Sequence, residues 1–144
     1  MIHAATMELV GLSGYKGATV KLLLTHAGEP SAVSDLLLRA VRNASCPAAL
    51  PSALLDLGGD NLRAGIQSVL DYSEIADFHY QLWVPTEGCS LMVLVRGVRA
   101  EKGRREWFVR NGPMSLESFL LAHQELQPDD LPLWGVKASL LEVA

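Results

Sequence analysis

The sequence lacks a long apolar run and is poor in several residue types. Only two of its 144 residues are cysteine, aromatic residues make up 6%, and charged residues make up 19%. Its longest apolar stretch, residues 91–95, has the length of a strand and is far shorter than the about 20 residues of a membrane-spanning helix. Because 49% of the residues are hydrophobic, a disordered chain is also excluded. We expect residues 1–144 to form a single globular domain with one core.

The two cysteines give no metal or redox motif. Cys46 and Cys89 lie far apart without a CxxC spacing, and either one disulfide or two thiols fits the sequence alone. The first residues show neither a basic segment leading into an apolar stretch nor a cleavage pattern, so we expect no secretion signal. We therefore expect a cytoplasmic location and two reduced, structural cysteines.

Basic residues are concentrated in one segment. The formal net charge of −4 opposes general nucleic-acid binding, because such affinity depends on many Lys and Arg contacts with phosphates. Half of the basic residues nevertheless fall within residues 96–110: Arg96, Arg99, Lys102, Arg104, Arg105 and Arg110. A local basic patch on an acidic chain indicates a specific anionic partner rather than bulk binding of polyanions.

Hydrophobic periodicity predicts the elements of the N-terminal half. Two β-rich segments, 5–13 and 18–26, are joined by a glycine-bounded turn at 14–17, which predicts a hairpin. Apolar residues at helical spacing then predict three helical segments. These are residues 33–44 with Ser31 as the N-cap, residues 51–57, and a longer helix that starts after Asp60 and continues to Leu70.

The C-terminal half predicts a meander of three short strands within residues 78–110, followed by a helix and a strand. The turn at residues 100–103 is typical of a type I turn closed by a left-handed glycine. Ser115 can cap a helix that reaches Leu126, and alternation predicts a last strand at 133–143. The fold class is therefore predicted as α+β: a mainly antiparallel sheet (N-terminal hairpin, central meander, C-terminal strand) with helices packed on one face.

One side of the meander has the composition of a binding face. Alternation places His79, Gln81 and Trp83 on one side of the first strand, and Met92, Leu94 and Arg96 share a side of the second. A bulge at Gly97 would also turn Arg99 to the side of Arg96. The predicted partner-binding residues are thus His79, Trp83, Met92, Leu94, Arg96 and Arg99. The alternative is that a helix covers them as core.

Two sets of charged residues each allow more than one interpretation. Lys102, Arg104, Arg105 and Arg110 are either a possible anion-binding site or the solvated tip of a hairpin. An acidic group with one histidine, made of Asp71, Glu74, Asp77 and His79, can pair with the arginines, hold a divalent cation or remain solvated. No motif indicates a catalytic residue, and we predict no cofactor and no metal.

The leading functional hypothesis is a non-enzymatic protein-interaction domain of the adaptor, chaperone or inhibitor kind. It would bind a protein partner or itself, as a homodimer, through the outer side of the meander, with arginines orienting carboxylates. One alternative is nucleic-acid binding through the Arg-rich hairpin 96–110. The other is a small-ligand protein or metal-dependent enzyme that uses the acidic group with His79.

Overall fold

The computed structural model describes residues 3–11, 19–44, 46, 49–64, 76–84 and 91–126. They form an α+β domain, as predicted. Its strands and helices, in chain order, are β1 (Ala4–Val10), β2 (Thr19–Leu24), α1 (Pro30–Asn43), α2 (Leu50–Gly58), β3 (Leu62–Ala64), β4 (Ala76–Trp83), β5 (Met92–Glu101), β6 (Arg104–Ser115) and α3 (Leu116–His123). The predicted turn at 14–17 and the predicted strand at 133–143 lie outside the described residues.

The strands form one mixed sheet in the order β3-β2-β1-β4-β5-β6. The pair β1–β4 is parallel, while the other pairs are antiparallel. The sheet is therefore two antiparallel units of three strands joined by a central parallel pair, and not an all-antiparallel sheet. Tight turns dictate only the direction of strands that follow each other in the sequence. Strands β1 and β4 are separated by a long connection. Local turn patterns do not predict whether two such strands run parallel or antiparallel.

The helices pack on one face of this sheet. Every strand residue in the hydrophobic core belongs to the same side of its strand, for example Met7 and Leu9 on β1 and Tyr80 on β4, all fully buried. Helix α3 joins this core through Phe119, whose ring lies 6.3 Å from that of Tyr80 in an edge-to-face arrangement. Each of these large side chains contributes about 1.5–3 kcal/mol by burial. For the three described helices, the predicted packing on one face agrees with this core.

Of the two predicted helix caps, the one at Ser115 is confirmed and the one at Ser31 is wrong. Ser115 caps α3, since its Oγ accepts a hydrogen bond from the Ser118 amide at 3.1 Å. The predicted cap of α1 is wrong, because that helix begins at Pro30 and Ser31 lies within its first turn. Proline is well suited to the first helical position, where its missing N–H has no partner to lose. The rigid ring of Pro30 thus starts the helix one residue before the serine.

The third predicted helix is wrong at its start. Asp60 lies in a single 3-10 turn, Gly59–Asn61, and Leu62 begins the short strand β3, where it pairs with Leu24 of β2. Leu62 is 5% exposed and belongs to the core. An apolar residue at this point suits either a helix or an edge strand, and the pairing with β2 decides between them. The remainder of that predicted helix lies outside the described residues.

Gly28 is the tightest backbone position at the start of α1. Its N–H donates to the His3 carbonyl at 2.9 Å and its own carbonyl accepts from the Tyr80 hydroxyl at 2.6 Å. A Cβ added there would lie 2.6 Å from the Ala5 Cβ and 2.8 Å from the His3 oxygen. Because one of these neighbours is backbone, no side-chain rotation can relieve the contact.

We expect Gly28→Ala to lower the free energy of unfolding by about 2–3 kcal/mol, the cost of forcing a packed backbone apart. Gly103→Ala is the matched control, since Gly103 has a positive φ of 78° but no atom within 4 Å of an added Cβ. That change should cost only about 1 kcal/mol, from backbone strain alone. Urea unfolding of both variants measures the difference, and an equal or smaller loss for Gly28→Ala would contradict this role of Gly28.

Candidate interaction face

The side of β4, β5 and β6 that faces away from the core is called the outer face below. Its residues are His79, Gln81 and Trp83 on β4, Met92, Leu94, Arg96 and Val98 on β5, and Trp107 and Val109 on β6. The strand register places them in cross-strand rows, because Trp83 pairs with Met92, Arg96 pairs with both His79 and Val109, and Val98 pairs with Trp107. Directly opposite residues in antiparallel strands are close enough for their side chains to touch.

The outer face is partly open. Trp83, Met92, Leu94 and Arg96 are half-buried, and Val109 keeps 55% of its surface exposed. None of the helices in the described part of the chain contributes to a core on this side, because the buried Leu, Val, Ala and Phe residues of α1, α2 and α3 all belong to the core on the opposite face. Five of the six residues predicted for partner binding therefore lie together on this face.

Arg99 is the exception, because the predicted bulge at Gly97 is absent. Pairing runs without interruption through Gly97 to Phe108 and through Arg99 to Glu106, so Arg96 and Arg99 point to opposite faces. The register shifts lie earlier, between Val93 and Arg96. Gly97 instead leaves room for the ring across the strand, since an added Cβ would stand 3.2 Å from the Phe108 ring. The Arg99 guanidinium lies 4.8 Å from the centre of that ring, in a cation–π contact.

His79 forms a buried polar centre within the outer face. It is 7% exposed, its Nδ1 lies 2.8 Å from the Thr6 Oγ1, and its Nε2 lies 3.9 Å from the Glu8 carboxylate. Trp107 covers it with a ring 6.4 Å away, edge to face. Burial lowers the pKa of His79, with a smaller contribution from the Arg96 cation, and these outweigh the nearby Glu8 carboxylate and the hydrogen bond to Thr6. His79 is therefore neutral at pH 7.

The four predicted anion-binding residues are not brought into one cluster. Lys102 and Gly103 form a two-residue turn in which both have positive φ, 52° and 78°. This corresponds to a type I′ turn, not the predicted type I, and it suits the twist of a two-stranded hairpin. Lys102 and Arg104 are exposed at this tip. Arg105 instead donates from Nη2 to the Ala76 carbonyl at 2.7 Å.

Arg110 is also engaged, because its guanidinium lies 5.5 Å from the centre of the Phe78 ring on the core side of the sheet. The basic residues of the hairpin are thus divided between its two faces and its tip. Anion binding by them remains a prediction, and the geometry gives it no shared pocket.

The predicted acidic group is only partly described, since Asp71 and Glu74 lie outside the described residues. The Asp77 carboxylate is 3.0 Å from Nδ1 of His3 and 3.5 Å from Nη2 of Arg105, while His79 bonds to Thr6. Within the described residues, no group of three or more His, Cys, Asp and Glu side chains could hold a metal ion. Cys46 is a free thiol but exposed, so its predicted structural role is wrong; Cys89 is not among the described residues.

Comparison with family models, curated proteins and solved structures gives no match in any of the three. Function is therefore inferred from the geometry alone. Among the described residues, no helix is long and apolar enough to cross a membrane.

Sequence reasoning missed the contribution of β6 to the outer face. Val98, Trp107 and Val109 complete it, and Trp107 covers His79. A signal for this was present in the turn: once Lys102 and Gly103 form a two-residue loop, Glu101 must pair with Arg104, and counting outward pairs Val98 with Trp107. The register of β6 against β5 follows from the type of this turn, and the presence of a turn alone does not determine it.

We expect stability to fall as the pH drops below 6.5, the ordinary pKa of histidine. In the unfolded chain His79 takes up a proton at that pH, whereas in the folded protein its lowered pKa delays protonation. Between pH 6.5 and the lowered pKa of the folded state, the unfolded chain therefore binds more protons than the folded protein. The free energy of unfolding decreases as the pH falls through this range. Urea midpoints measured from about pH 7.5 to about pH 5 test this.

His79→Gln should make that pH dependence shallower, whatever it does to stability at neutral pH. His26→Gln is the control, because His26 is an exposed histidine in the loop after β2. An unchanged pH slope in His79→Gln would show that His79 is not the group responsible.

Proposed function

We propose that the chain is a non-enzymatic protein-interaction domain whose outer face binds a second copy or another protein. The observation that supports this is the row of half-buried Trp83, Met92 and Leu94 beside Arg96 on the face that lacks a described helix. Trp, Met and Arg are enriched at protein interfaces, and Trp and Arg dominate their binding energy. We keep a cytoplasmic location as part of this proposal.

Arg96 is suited to orienting a partner. Within the described residues its one hydrogen bond is long, 3.5 Å from Nη1 to the Gln81 Oε1. The rest of its guanidinium is available for a bidentate contact with a carboxylate, which is the strongest common form of such a bond. The apolar residues beside it would exclude water from that contact, and exclusion of water makes the contact stronger.

The dimensions of the outer face favour a weak complex. Three strands about 4.8 Å apart and about 25 Å long present on the order of 400 Å², against about 800 Å² per partner in a stable interface of standard size. Interfaces of this smaller kind belong to transient encounters. We expect a dissociation constant in roughly the micromolar range.

A second copy is the partner that we propose to test first. Glu8 on β1 lies on the same side of the sheet as Arg96, beside Gln81 of β4, which in turn pairs with Leu94. Two copies stacked face to face about a twofold axis would let Arg96 of each approach Glu8 of the other. An isologous contact of this kind uses one self-complementary patch twice, and twofold dimers are the commonest homo-oligomers.

The described geometry gives less support to the two alternatives. Nucleic-acid binding through hairpin 96–110 needs cations on one track, but Arg96 and Arg99 face opposite ways and Arg105 is bonded to a carbonyl. An enzyme built on the acidic group would use His79 and Asp77, and these have separate partners in Thr6 and His3. Both alternatives stay predictions.

We expect Arg96→Glu to weaken self-association at least about tenfold, because it replaces the orienting cation by a charge that repels Glu8 of the second copy. Arg99→Glu is the matched control: it makes the same charge change three residues away, but on the opposite face. Light scattering over a concentration series measures both dimer constants, and thermal unfolding verifies that each variant folds.

Leu94→Gln should weaken the dimer as well, because it removes apolar surface from the centre of the contact. Equal effects of Arg96→Glu and Arg99→Glu would contradict binding through the outer face. A chain that stays monomeric up to about 1 mM would exclude the second copy as the partner.

A further inference from the structure

A separate cleft lies on the helix side of the domain, between the first half of α1, the end of α2 and the end of β2. Its volume is about 290 Å³, and its lining combines the apolar Leu24, Leu36 and Leu57 with the polar Asp35, Arg39 and Asn61. Small-molecule sites are concave, mostly apolar and supplied with a few polar groups, and they start at about 300 Å³. The cleft therefore has the size and composition for a small ligand, and it shares no residue with the outer face.

The orientation of the Asn61 amide is decided by its neighbours. Its Oδ1 accepts a hydrogen bond from the His26 backbone N–H at 2.8 Å and another from the Thr25 hydroxyl at 2.9 Å. Because a backbone N–H can only donate, the oxygen must be the atom on that side. The amide nitrogen is then on the other side of the group, and its two N–H donors have no acceptor among the described residues.

Arg39 also has unused donors at this cleft. Its Nε lies 3.2 Å from the Asp35 Oδ2, one helical turn away, and both side chains are about half exposed. Its two terminal nitrogens make no hydrogen bond to a described residue. Such a guanidinium edge offers two parallel N–H groups, the geometry that matches a carboxylate. Arg39 and Asn61 thus both supply the cleft with donors that have no acceptor among the described residues.

We propose that this cleft binds a small monocarboxylic acid with an apolar body. The ligand's carboxylate accepts from the terminal nitrogens of Arg39 and from the Asn61 amide, and its apolar part lies against Leu24, Leu36 and Leu57. The volume limits the ligand to on the order of ten non-hydrogen atoms. A ligand of that size binds with a dissociation constant of about 1 mM.

Phenylacetate is a suitable probe, with 2-phenylethylamine and 2-phenylethanol as a cation and a neutral molecule of nearly the same body. Each is titrated into the full chain while amide NMR signals are followed. We expect phenylacetate to shift the side-chain signals of Asn61 and the backbone signals of Ala32 and Gly58, which line the cleft. The amine and the alcohol should bind at least about tenfold more weakly, because an ammonium group accepts no hydrogen bond and a neutral hydroxyl has neither the charge nor the second oxygen of a carboxylate.

Three variants separate the proposed contact from a general charge effect. Arg39→Gln should weaken phenylacetate binding at least about tenfold. Asp35→Asn should preserve or tighten it, because that change removes the competing carboxylate and leaves the guanidinium in place. Arg63→Gln, which removes an exposed cation on β3, should leave it unchanged. Equal binding of the alcohol, no effect of Arg39→Gln, or no shift up to about 50 mM phenylacetate would each overturn the proposal.

Discussion

The parallel pairing of β1 with β4 is the constraint on which the rest of the domain depends. It aligns Thr6 with His79 and Met7 with Tyr80, residues 73 positions apart in the sequence. On the core side it buries Met7 and Tyr80 completely, and the Tyr80 hydroxyl reaches the carbonyl of Gly28, where α1 begins. On the other side it closes the hydrogen bond between Thr6 and His79. Both the outer face and the position of α1 follow from this one register.

Features that depend on a few neighbouring residues could be predicted from the sequence. Ser115 caps α3 because a serine side chain reaches the amide three residues ahead in any helix start. The alternation along β4 and the start of β5 is dictated by strand geometry, so the side shared by Trp83, Leu94 and Arg96 was predictable without knowledge of the partners of those strands. This accounts for most of the outer face.

Features that depend on distant segments were not predictable in the same way. The run starting at Leu62 becomes a strand because β2 offers it an edge, and nothing within the run itself favours that outcome over a helix. Gly97 has the same sequence signature whether it forms a bulge or leaves room for Phe108, and only the ring across the strand decides. The lowered pKa of His79 likewise depends on burial beneath Trp107, a residue of another strand.

The construction of β6 bears on the proposed contact through the outer face, because it hinders contact through the sheet edge. In the described sheet β6 is an edge strand, and exposed edges invite pairing with a second chain. Register shifts lie opposite Val93 to Arg96, Pro113 offers no N–H, and Arg104 to Glu106 are exposed charged residues. Each of these features opposes the addition of another strand. Among the described residues, the outer face carries no comparable block around Trp83 and Leu94. This difference between the hindered edge and the outer face of the described sheet supports the proposed face-to-face contact of two copies.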